Sequence, residues 1–306
     1  MLAFRMLLVI MILLNLSCSK ETTVSDLSDR YPEEFKQQVQ LSHGQTHYEW
    51  LGDGSNGETV VLIHGVSGPM KSWDATTSRL RKHGFRVLRY DLYGRGYSDR
   101  IDSQYDLNLY ISQLNELVRH LQISRFHLVG SSMGAIVASH YAQTYPKEVA
   151  SIALIGPAGF PIEVPFLAKF RDIPVIGDLV FSLFGRAIIY RQNVKYFLDP
   201  EPFAAFLQFF SDQLKVKGTD PAMLRTMRSV PVQNYESGYK ALNALGIPTL
   251  VIWGREDQTF PYSFYTKIKS QITHAKMVTV DDAAHLPHLE KPEETNRALI
   301  EFVQSF

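Results

Sequence analysis

Gly130-Ser131-Ser132-Met133-Gly134 is the stretch on which the reading of this chain turns. An apolar run from Phe126 to Val129 precedes it and reads as a buried strand. Met133 to Tyr145 follows as a helix that Pro146 stops. A G-x-S-x-G turn between a strand and a helix presents its serine above the end of a sheet. The glycines on either side let neighbouring backbones pass closely. The spacing selects Ser132 rather than Ser131 as a nucleophile. The Met133 N–H, at the start of the helix, then faces the place where negative charge develops, and the helix dipole reinforces it. Gly/Ser-rich turns before helices are common, so the reading needs partners elsewhere in the chain.

A serine hydroxyl is a poor nucleophile without a base. Among the ten histidines, His285 stands out. It lies in the loop Asp282 to Pro287, between the last strand and the last helix, which puts it at the same sheet edge as Ser132. His288, its near rival, reads as a polar residue at the mouth of the site or on the surface. His43, His47, His83 and His120 read as surface or turn histidines, and His127 and His140 as core or interface groups. A neutral histidine in the right tautomer needs an acceptor on its other nitrogen. Trp253-Gly254-Arg255-Glu256-Asp257 follows the penultimate strand and offers Asp257, with Glu256 as the alternative. A second oxyanion donor is expected from the loop His64 to Pro69, and Val66 N–H is the choice. His64 itself reads as a hydrogen-bonded residue fixing that loop.

Further out, strands and helices alternate. Strands are expected at His47–Trp50, Thr59–Ile63, Phe85–Tyr90, Val149–Ile155, Thr249–Trp253 and Lys276–Val280. Helices are expected at Trp73–His83, Leu107–Leu121, Tyr262–Ser270 and Glu293–Phe302. Gly52 to Gly57 reads as a turn. Such alternation implies an α/β fold, a mostly parallel, doubly wound sheet covered on both faces. The rhythm breaks over 157–236, where short amphipathic helices carry ten of the eighteen phenylalanines. That segment is expected to be a helical cap inserted into a core of 45–156 and 237–306.

Composition narrows the class. The chain of 306 residues is 45% hydrophobic with zero formal net charge. No basic block tracks a phosphate backbone, so nucleic acid is not an expected partner. A single cysteine, Cys18, excludes an internal disulfide and argues against a cysteine metal site. No metal or organic cofactor is needed by the chemistry read from Ser132.

Leu7 to Leu14 is an unbroken apolar run after Arg5, short for a membrane span but suited to a signal-peptide core. Residues 1–18 therefore read as a signal peptide, and the polar stretch 19–44 as a tether. The start resembles a bacterial lipoprotein signal, with Cys18 as the lipidated residue. Asn15 stands where that pattern prefers leucine, and a plain secretory signal or uncleaved anchor stays open. The resemblance implies a cell-envelope protein, lipid-anchored and facing the periplasm, with a secreted or periplasmic protein as the alternative.

The motifs together resemble the α/β-hydrolase superfamily over nearly all of residues 45 to 306. His64-Gly65 matches its oxyanion loop, and Asp91 to Ser98 its D-x-x-G-x-G-x-S segment, structural in the family. Gly254 to Asp257 matches its acid turn, and His285, Glu290 and Pro292 its C-terminal pattern. Ala284 stands where glycine is common. The order Ser132, Asp257, His285 is the family's order. The resemblance implies a serine esterase similar to monoacylglycerol lipases, acting on lipid-like or medium-chain acyl esters. C–C bond hydrolases of aromatic degradation share the serine, but carry Trp where this chain has Leu286. Acyl transfer, or a non-catalytic binding protein on the same fold, are the remaining alternatives.

Overall fold

The computed structural model describes residues 21–52, 57–163 and 166–306. The signal-type segment with Cys18 and the middle of the Gly52–Gly57 turn lie outside the described residues. Helix α1 (Val24–Arg30) leads to β1 (Gln37–Gln40) and β2 (Gln45–Leu51). The alternating part follows: β3 (Thr59–Ile63), α2 (Asp74–Lys82), β4 (Arg86–Tyr90), α3 (Leu107–His120), β5 (Phe126–Ser131), α4 (Met133–Thr144) and β6 (Val149–Ile155). Helices α5 (Ile176–Val194), α6 (Ala204–Gln213), α7 (Thr219–Ser229) and α8 (Glu236–Ala244) intervene before β7 (Thr249–Gly254). The chain closes with α9 (Phe264–Gln271), β8 (Lys276–Val280), α10 (Pro287–Glu290) and α11 (Pro292–Val303).

The strands form one eight-stranded sheet in the order β1-β2-β4-β3-β5-β6-β7-β8. β1 and β2 join antiparallel, and the rest run parallel. The β3 sequence Thr-Val-Val-Leu-Ile is buried throughout, as a central strand covered on both faces requires. Val61, Ile63, Leu88 and Leu128 pack with α3, α4, α8 and α9 through Leu114, Ile136, Leu242 and Ile268. Val60, Leu62, Val87 and Val129 pack on the other side with Leu80 of α2 and Leu299 and Val303 of α11. Asp106 caps α3 by accepting from Leu109 N–H at 2.9 Å. α4 ends at Tyr145, held at φ −128° and ψ 58° by the proline that follows.

The inserted helices have their own cluster, in which Phe181 and Ile189 of α5 meet Phe210, Leu214 and Met223. α8 returns to the main core, where Tyr239 and Leu242 are fully buried.

The segment read as a tether is folded from residue 21 onward. Thr23 and Asp26 form a capping box at the start of α1. Leu27 is buried against Tyr97, Phe209 and Val216. Thr22 N–H donates to Lys215 O, and Lys217 N–H to Thr22 O. β1 extends the sheet beside β2. Periodicity misses these elements because α1 buries one leucine and β1 is the polar edge run Gln-Gln-Val-Gln. Contacts distant in sequence hold both in place.

Candidate active site

The Gly130–Gly134 turn owes its shape to close approach. A side-chain Cβ on Gly130 would lie 2.2 Å from Gly134 O, and one on Gly134 would lie 2.3 Å from Ile63 O. Ser132 takes φ 54° and ψ −120°, a strained backbone for any residue but glycine. Its neighbours over-determine it. Ser132 N–H donates to Ile155 O at 2.9 Å, and Ser132 O accepts from Ala135 and Ala158 N–H. The Ser132 hydroxyl makes no hydrogen bond among the described residues.

His285 and Asp257 meet in full burial, Nδ1 to Oδ2 at 2.8 Å. The other carboxylate oxygen of Asp257 accepts from Thr259 and Phe260 N–H at 2.8 and 2.9 Å. His285 Nε2 is buried with no partner among the described residues. It is therefore open to take a proton, although no Ser132–His285 hydrogen bond is formed in this state, as is common without substrate.

His47 and Asp91 make a second buried pair at 2.7 Å, and contact alone does not tell the two apart. The far nitrogen does. His47 Nε2 already accepts from Lys36 N–H at 2.9 Å. Asp91 also takes Met70 and Tyr97 N–H, a structural hub. Burial alone would raise the Asp91 pKa, but His47, the nearby His64 and the Met70 N–H together outweigh it and hold the carboxyl below its usual range. His47 is thus a buried structural residue, not the surface residue its sequence position suggests.

His288 also departs from expectation. It is buried, stacked on Trp73 at 4.4 Å, and neither ring nitrogen has a partner among the described residues. Burial pushes its pKa down to about 3. The residue lies on the short helix α10, where it is buried together with Pro287. Glu256, the alternative acid, instead ties the acid and histidine loops together: its side chain takes Ala283 N–H at 3.1 Å. Glu290 takes Ala284 and Leu198 N–H.

The loop after β3, expected to carry an oxyanion donor, is held at the carbonyls of Gly65, Val66 and Ser67. His64 Nδ1 donates to Gly65 O at 2.7 Å, and its Nε2 accepts from Leu92 N–H. Gly65 O belongs to the peptide that carries Val66 N–H, so His64 aims that donor directly. Burial drives the His64 pKa down to about 4, which keeps the ring neutral and the acceptor role available. Arg95, wholly buried, donates from Nε to Val66 O at 2.8 Å. Val66 and Met133 N–H have no protein acceptor among the described residues.

Sequence reading missed the hold of the inserted helices on these loops. Asn193 Nδ2 donates to Ser67 Oγ at 2.8 Å, and Gln213 Nε2 to Ser67 O at 2.9 Å. His285 N–H donates to Tyr196 O at 3.0 Å, with the two rings 4.7 Å apart. Nothing local in α5 or α6 marks these residues, because their partners lie far away in sequence.

Above Ser132 opens a cavity of about 530 Å³. Val66, Ser132 and Met133 line its floor, and Phe181, Ile189, Met223 and Met227 of the inserted helices line its roof. Glu163, Arg171, Gln192 and Lys195 bring polar groups to its wall. Among the described residues, no group of three or more His, Cys, Asp or Glu side chains is placed to hold a metal ion.

Residues 58–292 match the family model of the alpha/beta hydrolase fold. The chain belongs to the α/β-hydrolase family. A 2-hydroxy-6-oxononadienedioate/2-hydroxy-6-oxononatrienedioate hydrolase of Paraburkholderia xenovorans is 30% identical, covering 85% of this chain and 90% of its own. Lipase 3 of a Moraxella species is 27% identical, with 79% and 76% covered. A meta-cleavage product hydrolase from Pseudomonas fluorescens shares the fold at TM-score 0.73 and 22% identity, over 89% of this chain and 99% of the other. The chain spans 65% of the length of a further relative, the dihydrolipoyllysine-residue acetyltransferase component of an acetoin cleaving system from Pseudomonas putida. A lipase and a 2-hydroxy-6-oxononadienedioate/2-hydroxy-6-oxononatrienedioate hydrolase are thus among the sequence relatives of this α/β hydrolase, and an esterase and a meta-cleavage product hydrolase share its fold.

Proposed function

We propose that this α/β hydrolase cleaves carboxylic esters with apolar acyl chains, through an acyl-enzyme on Ser132. The single observation that carries the reading is the open Nε2 of His285, backed by Asp257 and set at the edge where Ser132 stands strained under an apolar cavity. Ser132 Oγ attacks the acyl carbonyl while His285 Nε2 takes the hydroxyl proton. Asp257 orients the ring and stabilises its cation. Val66 and Met133 N–H hold the oxyanion. Collapse expels the alcohol, which leaves with the proton from His285. A water, deprotonated by His285, then attacks the acyl-enzyme and releases the acid. The aliphatic roof favours acyl chains, since each buried CH₂ adds about 0.8 kcal/mol without a polar contact.

Fluorophosphonate labelling of wild type and Ser132→Ala tests the nucleophile, and equal labelling would sink it. A series of p-nitrophenyl esters of rising chain length tests the substrate class. A C–C bond hydrolase is the second reading, supported by the Paraburkholderia relative and by Arg171 and Lys195 on the cavity wall, which suit a carboxylate-bearing substrate. Leu286, packed with Tyr196 and Phe197, stands against it. Faster turnover of a ring-fission dienol than of any ester would reverse the order. We also propose that Cys18 is lipidated and holds the protein to the cell envelope; palmitate incorporation that survives Cys18→Ser would exclude this.

A further inference from the structure

Among the described residues ten large apolar side chains are exposed, and seven of them fall between residues 166 and 198. Phe166, Val175 and Leu179 are 71%, 78% and 59% exposed. On α5 the exposed positions Ile176, Leu179 and Tyr190 fall on one helical stripe, with half-buried Leu183 and Ala187 between them. The opposite stripe, Phe181, Gly185 and Ile189, is buried in the cluster with α6 and α7. Val180 and Ile188 line the cavity, so one helix separates the outer apolar face from the site. A monomeric soluble protein has little reason to leave such a face uncovered.

We propose that this outer face of α5, with the Phe166–Leu179 segment, docks on the surface of a phospholipid bilayer. Two observations choose that occupant. The first is where the N-terminal segment leaves the described chain. Glu21 pairs with Arg186 of α5 at 3.6 Å, and Cys18, the residue proposed above to carry lipid, lies three positions before it. Three residues span at most about 11 Å when extended. A bilayer that holds that lipid therefore lies within reach of α5, and this step rests on the lipid-anchor reading. The second is charge. The carboxylates within the patch are neutralised: Asp172 by Arg171, and Asp178 by Arg228. Lys169 and Arg191 stand beside it, exposed and without an acidic partner among the described residues. Apolar side chains ringed by cations suit an interfacial helix on anionic headgroups.

The test uses the full chain with vesicles of phosphatidylethanolamine and phosphatidylglycerol. Leu179→Trp places a reporter on the face, and Leu245→Trp a control at the exposed end of α8. With brominated acyl chains, the Leu179→Trp emission, taken as the difference from the parent, is expected to shift blue and lose intensity, and that of the control is not. The double variant Val175→Asp with Leu179→Asp is expected to raise KM for a vesicle-embedded ester about tenfold or more, with kinetics on a soluble ester unchanged. Vesicle-bound protein whose Leu179→Trp emission is unquenched would overturn the proposal. So would a parent dimer that the double variant dissolves, since the face would then cover a second copy. Quenching needs no turnover, so loss of the ester reading and loss of this one are separable.

Discussion

Asp257→Asn tests the tautomer logic of the site more sharply than removal of the acid. In the wild type one carboxylate oxygen accepts from Thr259 and Phe260 N–H, and the other from His285 Nδ1–H. An asparagine there has one acceptor atom and one donor group. Two backbone N–H donors, 2.8 and 2.9 Å from Oδ1, force the amide oxygen into that position. The NH₂ group then faces His285 Nδ1, which must become an acceptor. The ring proton moves to Nε2, the atom that has to take the proton of Ser132. A histidine held in this tautomer costs about 10⁴-fold in turnover, which is about 5 kcal/mol of barrier. The fold is expected to hold, since both backbone donors keep a partner. Asp257→Ala instead leaves both buried donors unpaired, at about 1–3 kcal/mol each. The assay is kcat/KM on a soluble p-nitrophenyl ester with thermal unfolding of both variants. An Asp257→Asn enzyme within about tenfold of wild type, or one that melts as early as Asp257→Ala, refutes the reasoning.

Gly134→Ala drives a methyl group onto Ile63 O, 2.3 Å away; a loss of about 3 kcal/mol or more in stability is expected by chemical denaturation. Leu27→Ala is expected to destabilise by about 2–4 kcal/mol because α1 packs on Phe209 and Val216; a tether would show no change in melting. Asn193→Leu frees the Ser67 hydroxyl, leaving only the Gln213 bond to Ser67 O, and is expected to lower kcat about threefold to tenfold with KM little changed, read by steady-state kinetics. His288→Phe keeps the stack on Trp73 and removes an unpaired buried N–H, so melting temperature at pH 7 is expected to rise by a few degrees. The same variant bears on acid stability. Burial lowers His64 to about 4 and His288 to about 3 in the folded state. The unfolded chain therefore binds more protons below about 6.5, and stability is lost as pH falls from there toward 4. His288→Phe is expected to flatten that acid limb, measured as denaturation midpoints across pH.

The parallel core was legible because its strands are short β-branched runs and its helices keep an apolar period, as in β3 and α3. The site residues were legible for a related reason. Ser132, Asp257 and His285 each follow a parallel strand, and parallel strands deliver their C-terminal loops to one edge. What stayed hidden depends on contacts distant in sequence. His47 reads as a turn residue until β2 is paired with β4 and Asp91 arrives beside it. His288 reads as exposed until α10 turns its ring onto Trp73. α1 is too polar to announce itself, and Leu27 finds its place only against Tyr97 of the core and Phe209 and Val216 of the insertion.

Those inserted helices bear on the chemistry in a way that their phenylalanines did not suggest. Asn193 and Gln213 hold Ser67, next to the proposed oxyanion donor Val66 N–H, and Tyr196 O holds the backbone of His285. Thr226 Oγ1 accepts from Arg95, whose guanidinium also fixes Val66 O. A lid that lifted away as a rigid body would break the bonds from Asn193, Gln213, Tyr196 and Thr226 at once. The roof therefore belongs to the frame of the site. Entry to the cavity, whose wall includes Arg171 and Lys195, is then expected to leave α5 in place. That geometry also makes an outer apolar face on α5 useful. A helix tied to the Ser67 loop on its inner side, with the proposed lipid contact on its outer side, would bring the cavity close to the bilayer with no need for the loops to move.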